Sequence, residues 1–147
     1  MDDRAMMEAS AGARLALLET SFARLTGRPL APGGDLWNAP AAIVAHGTQD
    51  PPRFFFGNAQ ALALFRIGAA RFIGLPSHES AEPALRAERA AMLARLEADD
   101  VVTGYHGIRI AADGTRFCIR DAVIWNLRDA SGQRHGQAAW FDTWEML

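Results

Sequence analysis

The chain has no lysine, one cysteine and one tyrosine, and no apolar run approaches the length needed to cross a bilayer. Its basic side chains are therefore all arginines, spread from Arg4 to Arg134 among carboxylates of similar number, for a formal net charge of −2. That distribution lacks the basic patch or stripe of a phosphate-backbone binder, so no direct contact with nucleic acid is expected. The lone Cys118 excludes an intrachain disulfide and fits a reducing compartment. The N-terminus MDDRAMMEAS starts acidic and has neither the basic region nor the apolar core of a secretory signal, which makes a cytoplasmic location, away from membranes, the expectation.

Other chemistries are excluded by missing partners. Gly33-Gly34 is followed by no Lys and Ser or Thr, so it is no phosphate loop, and no G-x-S-x-G elbow presents a serine nucleophile. His46, His78, His106 and His135 lie in four separate segments with no pair at ligand spacing, and no metal site is expected. His78, in the loop before a helix, is the position to consider for haem iron, but a lone loop histidine reads as solvated, and haem is not expected. Cys118, mid-strand between Phe117 and Ile119, reads as a structural thiol.

What is present is an α+β pattern. Met7, Ala11, Leu15, Leu18, Phe22 and Leu25 recur at spacings of three and four and predict one helix from Ala5 to about Leu25. Its apolar face either packs on its own domain or pairs with a second copy in a homodimer. Thr26 to Asp35 is a Gly- and Pro-rich linker. Short strands are predicted at Ala41 to His46 and at Phe54 to Phe56, with Asp50-Pro51-Pro52 in the turn between them. Gly57 allows a change of direction, and Asn58 can cap a helix from Ala59 to Phe65. A longer helix is predicted from Pro83 to about Ala98, then three strand-length segments, Val101–Ala111, Thr115–Arg128 and Arg134–Trp144. Their tight connections require antiparallel pairing, giving helices over a sheet of about five strands in chains of this order.

Two charged residues sit on apolar faces. Arg89 falls inside the helical stripe Leu85, Met92, Leu93 and Leu96, and needs a carboxylate, backbone carbonyls or an anionic ligand; Asp121, Glu79 and Glu82 are the candidate partners. Strict alternation through Phe117, Ile119, Val123, Trp125 and Leu127 places Asp121 on their face, so either a bulge at Arg120-Asp121 turns the carboxylate outward or it forms a buried pair with Arg89. His46 at a strand end, and Tyr105, Arg109, Trp125 and Gln137 on the sheet, are amphipathic or polar groups that can meet a ligand.

The stretches VAHGTQDPPRFFFGNAQALALF, LPSHESAEP, the Arg89 helix, YHGIRIAADGTRFCIRDAVIWNL and GQAAWF resemble, in this order, the MEKHLA domain, a PAS-like module. The resemblance runs from Leu36 to Trp144. It implies a five-stranded antiparallel sheet with helices over one face in residues 36–147, preceded by an extra helix and linker in residues 1–35. It also implies a non-enzymatic sensory or regulatory role, with a small molecule held between sheet and helices, dimer contacts through the sheet, or both; the apolar stripe of the N-terminal helix, outside the resemblance, offers the other dimer surface. Phe56, Asn58 and Phe65 match the strand-Asn-helix entry of such modules, and Gly114 the hairpin glycine. The candidate ligand-facing set is His46, Phe56, Asn58, Arg89, Tyr105, Arg109, Phe117, Trp125 and Gln137, with Arg89 as anion anchor. The chain departs from the flavin photoreceptor motif, because Cys118 is on a strand; neither flavin nor haem is expected. With no kinase, cyclase or DNA-binding module in this sequence, output is expected to pass through a partner or a dimer. Two alternatives stand beside this reading: an enzyme of the cone-shaped isomerase and dehydratase type with His46 or Asp121 as general base, and a purely structural dimerisation module built on the Met7 to Leu25 stripe.

Overall fold

The apolar stripe from Met7 to Leu25 is carried by two helices, where its spacing predicts one. The computed structural model describes residues 1–81 and 86–147. Helix α1 (Asp3–Ala11) starts at Asp2, whose side chain accepts from the Ala5 N–H, and stops at Gly12 with φ of 55°. Helix α2 (Arg14–Thr26) follows after Ala13 and ends at Gly27, which is left-handed with φ of 74°. Only glycine enters that region without strain, so Gly12 and Gly27 set both stops.

The strands follow the predicted segments closely. β1 (Ala42–His46) and β2 (Phe54–Gly57) form an antiparallel pair. Helix α3 (Ala59–Phe65), a single turn α4 (Ala69–Phe72), a 3₁₀ turn (Ser77–Ser80) and helix α5 (Arg86–Asp99) come next. Glu82, Pro83 and Leu85 lie outside the described residues. The last region gives β3 (Val101–Ile110), β4 (Arg116–Arg128), β5 (Arg134–Phe141) and β6 (Thr143–Met146). The expected final strand is thus interrupted at Asp142, and its tail pairs with the first half of β4 while β5 pairs with the second half. The sheet has six strands in the order β2-β1-β5-β4-β3, with β6 on β4.

Helices cover both faces. On the outer face, α2 seats Phe22 against Trp125 at 4.9 Å between ring centroids and against Trp140 at 6.5 Å, and the Trp125 indole N–H donates to Ser21 Oγ at 3.0 Å. On the same side α1 is fixed to β2: Ser10 Oγ donates to the Phe55 carbonyl at 2.6 Å, and the Arg14 guanidinium lies 3.7 Å from the centre of the Phe55 ring. Met7, Ala11, Leu18 and Phe22 are all buried in one core with the sheet. The stripe is therefore covered within the chain. On the inner face, α3, α4 and α5 pack over the strands, with Phe65 edge-on to Phe117 and Phe72 stacked on Phe54.

Two irregularities decide which side chains face inward. The β1–β2 register shifts between Ala45 and His46, so Phe54 lies opposite His46 on the inner face while Phe56 lies opposite Ala45 on the outer one. In β4 the register against β3 slips across Arg120-Asp121; Asp121 has φ of 52°, and its N–H donates to His106 Nδ1 at 3.3 Å. This is the bulge alternative. Asp121 is exposed and forms no pair with Arg89. An inserted residue reverses the alternation beyond it. Phe117 and Ile119 therefore face inward with Ile124, while Val123, Trp125 and Leu127 turn to the outer face, although the five odd-numbered residues share one face under strict alternation.

Candidate functional site

Between the inner face and α5 lies a cavity of about 70 Å³. Its apolar wall is built by period-two positions of neighbouring strands: Val44 on β1 opposite Ala139 on β5, which lies opposite Ile124 on β4. Phe54 and Phe65 close one side and Phe141 another; Met92 and Leu93 of α5 form the roof. Among the described residues no carboxylate lines this space, whereas Arg89 and Arg109 both do.

Arg89 is half-buried and makes no hydrogen bond or ion pair among the described residues. Burial lowers the pKa of its guanidinium, and the neighbouring charge of Arg109 lowers it further. A cation in that position has lost water without gaining a counter-charge among the described residues. Among the described residues Arg109 has neutral partners: it donates to the Ile108 carbonyl at 3.0 Å and to the Tyr105 hydroxyl at 3.4 Å. Gly107 explains this arrangement. Tyr105, Gly107 and Arg109 share the inner face of β3, and a Cβ on Gly107 would sit 2.7 Å from the Tyr105 oxygen and 3.0 Å from the Arg109 guanidinium. The bare glycine lets Arg109 fold back over Tyr105.

His46 is on the cavity wall. Its Nδ1 lies 3.0 Å from the Gly47 carbonyl, which can only accept, so Nδ1 carries the proton. Burial holds the ring's pKa below the usual imidazole value; Gly47 and Gln137 oppose that shift, and the charges of Arg89 and Arg134 reinforce it. The ring is thus neutral at neutral pH. Gly136, with φ of 150°, lies flat against the His46 backbone carbonyl, where a Cβ would collide. Ser77 also lines the cavity, and its Oγ is buried without a hydrogen-bond partner among the described residues. Such an orphan is uncommon in a folded protein and points to a missing polar partner. Outside, Leu93 and Gln137 also border an open cleft lined by Glu97, Arg128 and Arg134.

Of the residues expected to face a ligand, His46, Arg89, Arg109 and Gln137 come together here, with Tyr105 holding Arg109 from behind. The others go elsewhere. Trp125 is on the outer face because of the Arg120-Asp121 bulge, and Phe56 borders a groove with Leu15 and Trp37 on the N-terminal side. Phe117 is buried against Phe65, beneath the cavity wall. Asn58 has all its hydrogen-bonding groups engaged by the backbone. Phe54, Ser77, Ile124 and Ala139 line the cavity without having been singled out; the register of β1–β5–β4 was the signal for the last two, and nothing in the LPSHES stretch marks Ser77 over His78, which is exposed. Among the described residues no group of three or more His, Cys, Asp or Glu could hold a metal ion, and no helix is long and apolar enough to cross a membrane.

A family model for the MEKHLA domain matches residues 13–146. The chain belongs to the MEKHLA domain family. The match begins within the first helical segment, upstream of the Leu36 at which the motif resemblance starts. No curated protein matches the chain. Solved structures give the fold of this MEKHLA domain. A PAS domain of a protein from Colwellia psychrerythraea has a TM-score of 0.63 at 15% identity, covering 79% of this chain and 93% of that one. An RNA-binding light-oxygen-voltage receptor has a TM-score of 0.59 at 19% identity, with 71% of this chain and 30% of that one covered. The light-state dimer of the fungal blue-light photoreceptor Vivid has a TM-score of 0.55 at 12% identity, with 69% and 76% covered. At these identities the likeness establishes a PAS-like α+β fold.

Proposed function

We propose that this MEKHLA domain is a non-enzymatic sensory or regulatory module that holds a small molecule between the inner sheet face and α5 and passes the signal on through protein contacts. The observation that supports it most is Arg89, which has no hydrogen bond or ion pair among the described residues, on a cavity whose remaining wall is mostly apolar. A few placed polar groups in a largely apolar enclosure are the usual anatomy of a small-molecule site. Family membership and fold point the same way. The enzyme alternative loses one of its two bases, since Asp121 is exposed, outside the cavity. Because the Met7–Leu25 stripe already packs on the chain's own sheet, a homodimer would use the half-buried part of the outer sheet around Ile108 and Cys118. Native mass spectrometry of the gently purified full chain tests the ligand. A bound small molecule at one per chain is expected, and a crystal structure should place its density against Arg89. A chain that carries nothing, with a solidly packed interior in the crystal, would overturn the reading.

A further inference from the structure

We propose that the cavity is a receptor for a short-chain carboxylate, its head group held between Arg89 and Arg109 and its tail on the apolar wall; this rests on the small-molecule reading above. The charge argument comes first. Two guanidinium groups line one small space, Arg89 has no hydrogen-bonded partner among the described residues, and Arg109 has only a carbonyl and a phenol. Like charges brought together away from water raise the energy of the empty site, and an anion between them removes that cost. A carboxylate suits the planar donors of arginine, which can grip both its oxygens.

Hydrogen bonding adds a second, independent observation. Ser77 is 5% exposed and lines the cavity, and among the described residues its buried hydroxyl has no hydrogen-bond partner. It can donate to an anion's oxygen, which the neutral His46, with Nδ1–H turned to Gly47, does not do. Size and lining then limit the rest of the molecule. About 70 Å³ is well below the roughly 300–1,000 Å³ of pockets for drug-sized ligands, and a few times the roughly 10–15 Å³ that admits one water. Val44, Phe54, Ile124 and Phe141 offer a tail of a few carbons an apolar surface.

The test is an NMR titration of the full chain with sodium propionate at constant ionic strength, following the amides of Val44, Ile124 and Ala139, with propionamide and sodium chloride as parallel probes. One saturable site is expected, at least tenfold tighter for propionate than for either control. Arg89→Gln and, separately, Arg109→Gln should each weaken propionate at least tenfold while the spectrum stays folded. The two variants are independent, so loss of fold in one leaves the other decisive. Equal binding of propionate and propionamide would overturn the carboxylate inference yet leave a small-molecule site standing. Chloride competing as well as propionate, or no response of these amides to any probe, would overturn it outright. A stoichiometric neutral ligand found by mass spectrometry would do the same while supporting the sensory reading.

Discussion

Asn58 satisfies four backbone groups with one side chain. Its oxygen accepts from the N–H groups of Ile43 and Ala61 at 3.0 and 3.1 Å, and its amide donates to the carbonyls of Leu36 and Ala41 at 3.0 and 2.8 Å. It thus caps α3 and ties that helix to β1 and to the linker, at a fully buried position. Asn58→Ala would leave these groups unpaired, each at a cost of about 1–3 kcal/mol before relaxation. A loss near 3–5 kcal/mol is expected in urea unfolding, since water reaching the new space recovers part of the total. A loss below about 1 kcal/mol would show that the backbone finds other partners. The capping role was legible in the sequence as Asn before an Ala- and Leu-rich run. The other three bonds were not, because they depend on where Leu36, Ala41 and Ile43 lie in space.

Elements were legible for the same reason that faces were not. Segment composition marks β1, β2 and α3 within a residue, and the tight turns require antiparallel pairing. Facing depends on counting by two, and one inserted residue reverses the count. The shift at Ala45/His46 puts Phe54 on the cavity wall and Phe56 on the outer face, although the two share a face under strict alternation, and the Arg120-Asp121 bulge sends Trp125 to α2. Alternation alone showed that something at Asp121 had to give, but not that Trp125 would change sides. The N-terminal stripe was equally readable as a helix face and equally silent about its partner. Because Phe22 of α2 is 1% exposed between Trp125 and Trp140, Phe22→Ala should cost about 3–5 kcal/mol, the range for large-to-small changes in a packed core. The oligomeric state by light scattering should stay as it was. A variant of unchanged unfolding midpoint that dissociates a wild-type dimer would instead place this stripe between copies.

At the scale of the molecule, the two helical layers are held unequally. α2 is fixed to the outer face by Leu18, Phe22 and the Ser21–Trp125 bond. Among the side chains described for α5, only Met92 and Leu96 are buried; at its end Asp100, left-handed with φ of 63°, accepts from Asn126 and Arg128 at 2.8 and 2.9 Å. Among its described side chains the roof of the cavity is therefore anchored mainly at its C-terminal end, and few buried contacts mean a low local opening free energy. In native-state hydrogen exchange, α5 amides should exchange by sub-global opening well before those of α2 and the β4–β5 pair. A ligand that binds only the closed form adds RT ln(1 + [L]/Kd) to the closing equilibrium, so propionate near ten times its Kd should slow α5 exchange about tenfold, or about 1.4 kcal/mol. The α2 amides, on the opposite face of the sheet, should respond little. Protection confined to α5 and the inner strands would identify the roof as the element that reports occupancy. Equal exchange of α5 and β4 in the free protein, or protection that appears first in α2, would mean that the signal leaves through the N-terminal layer instead.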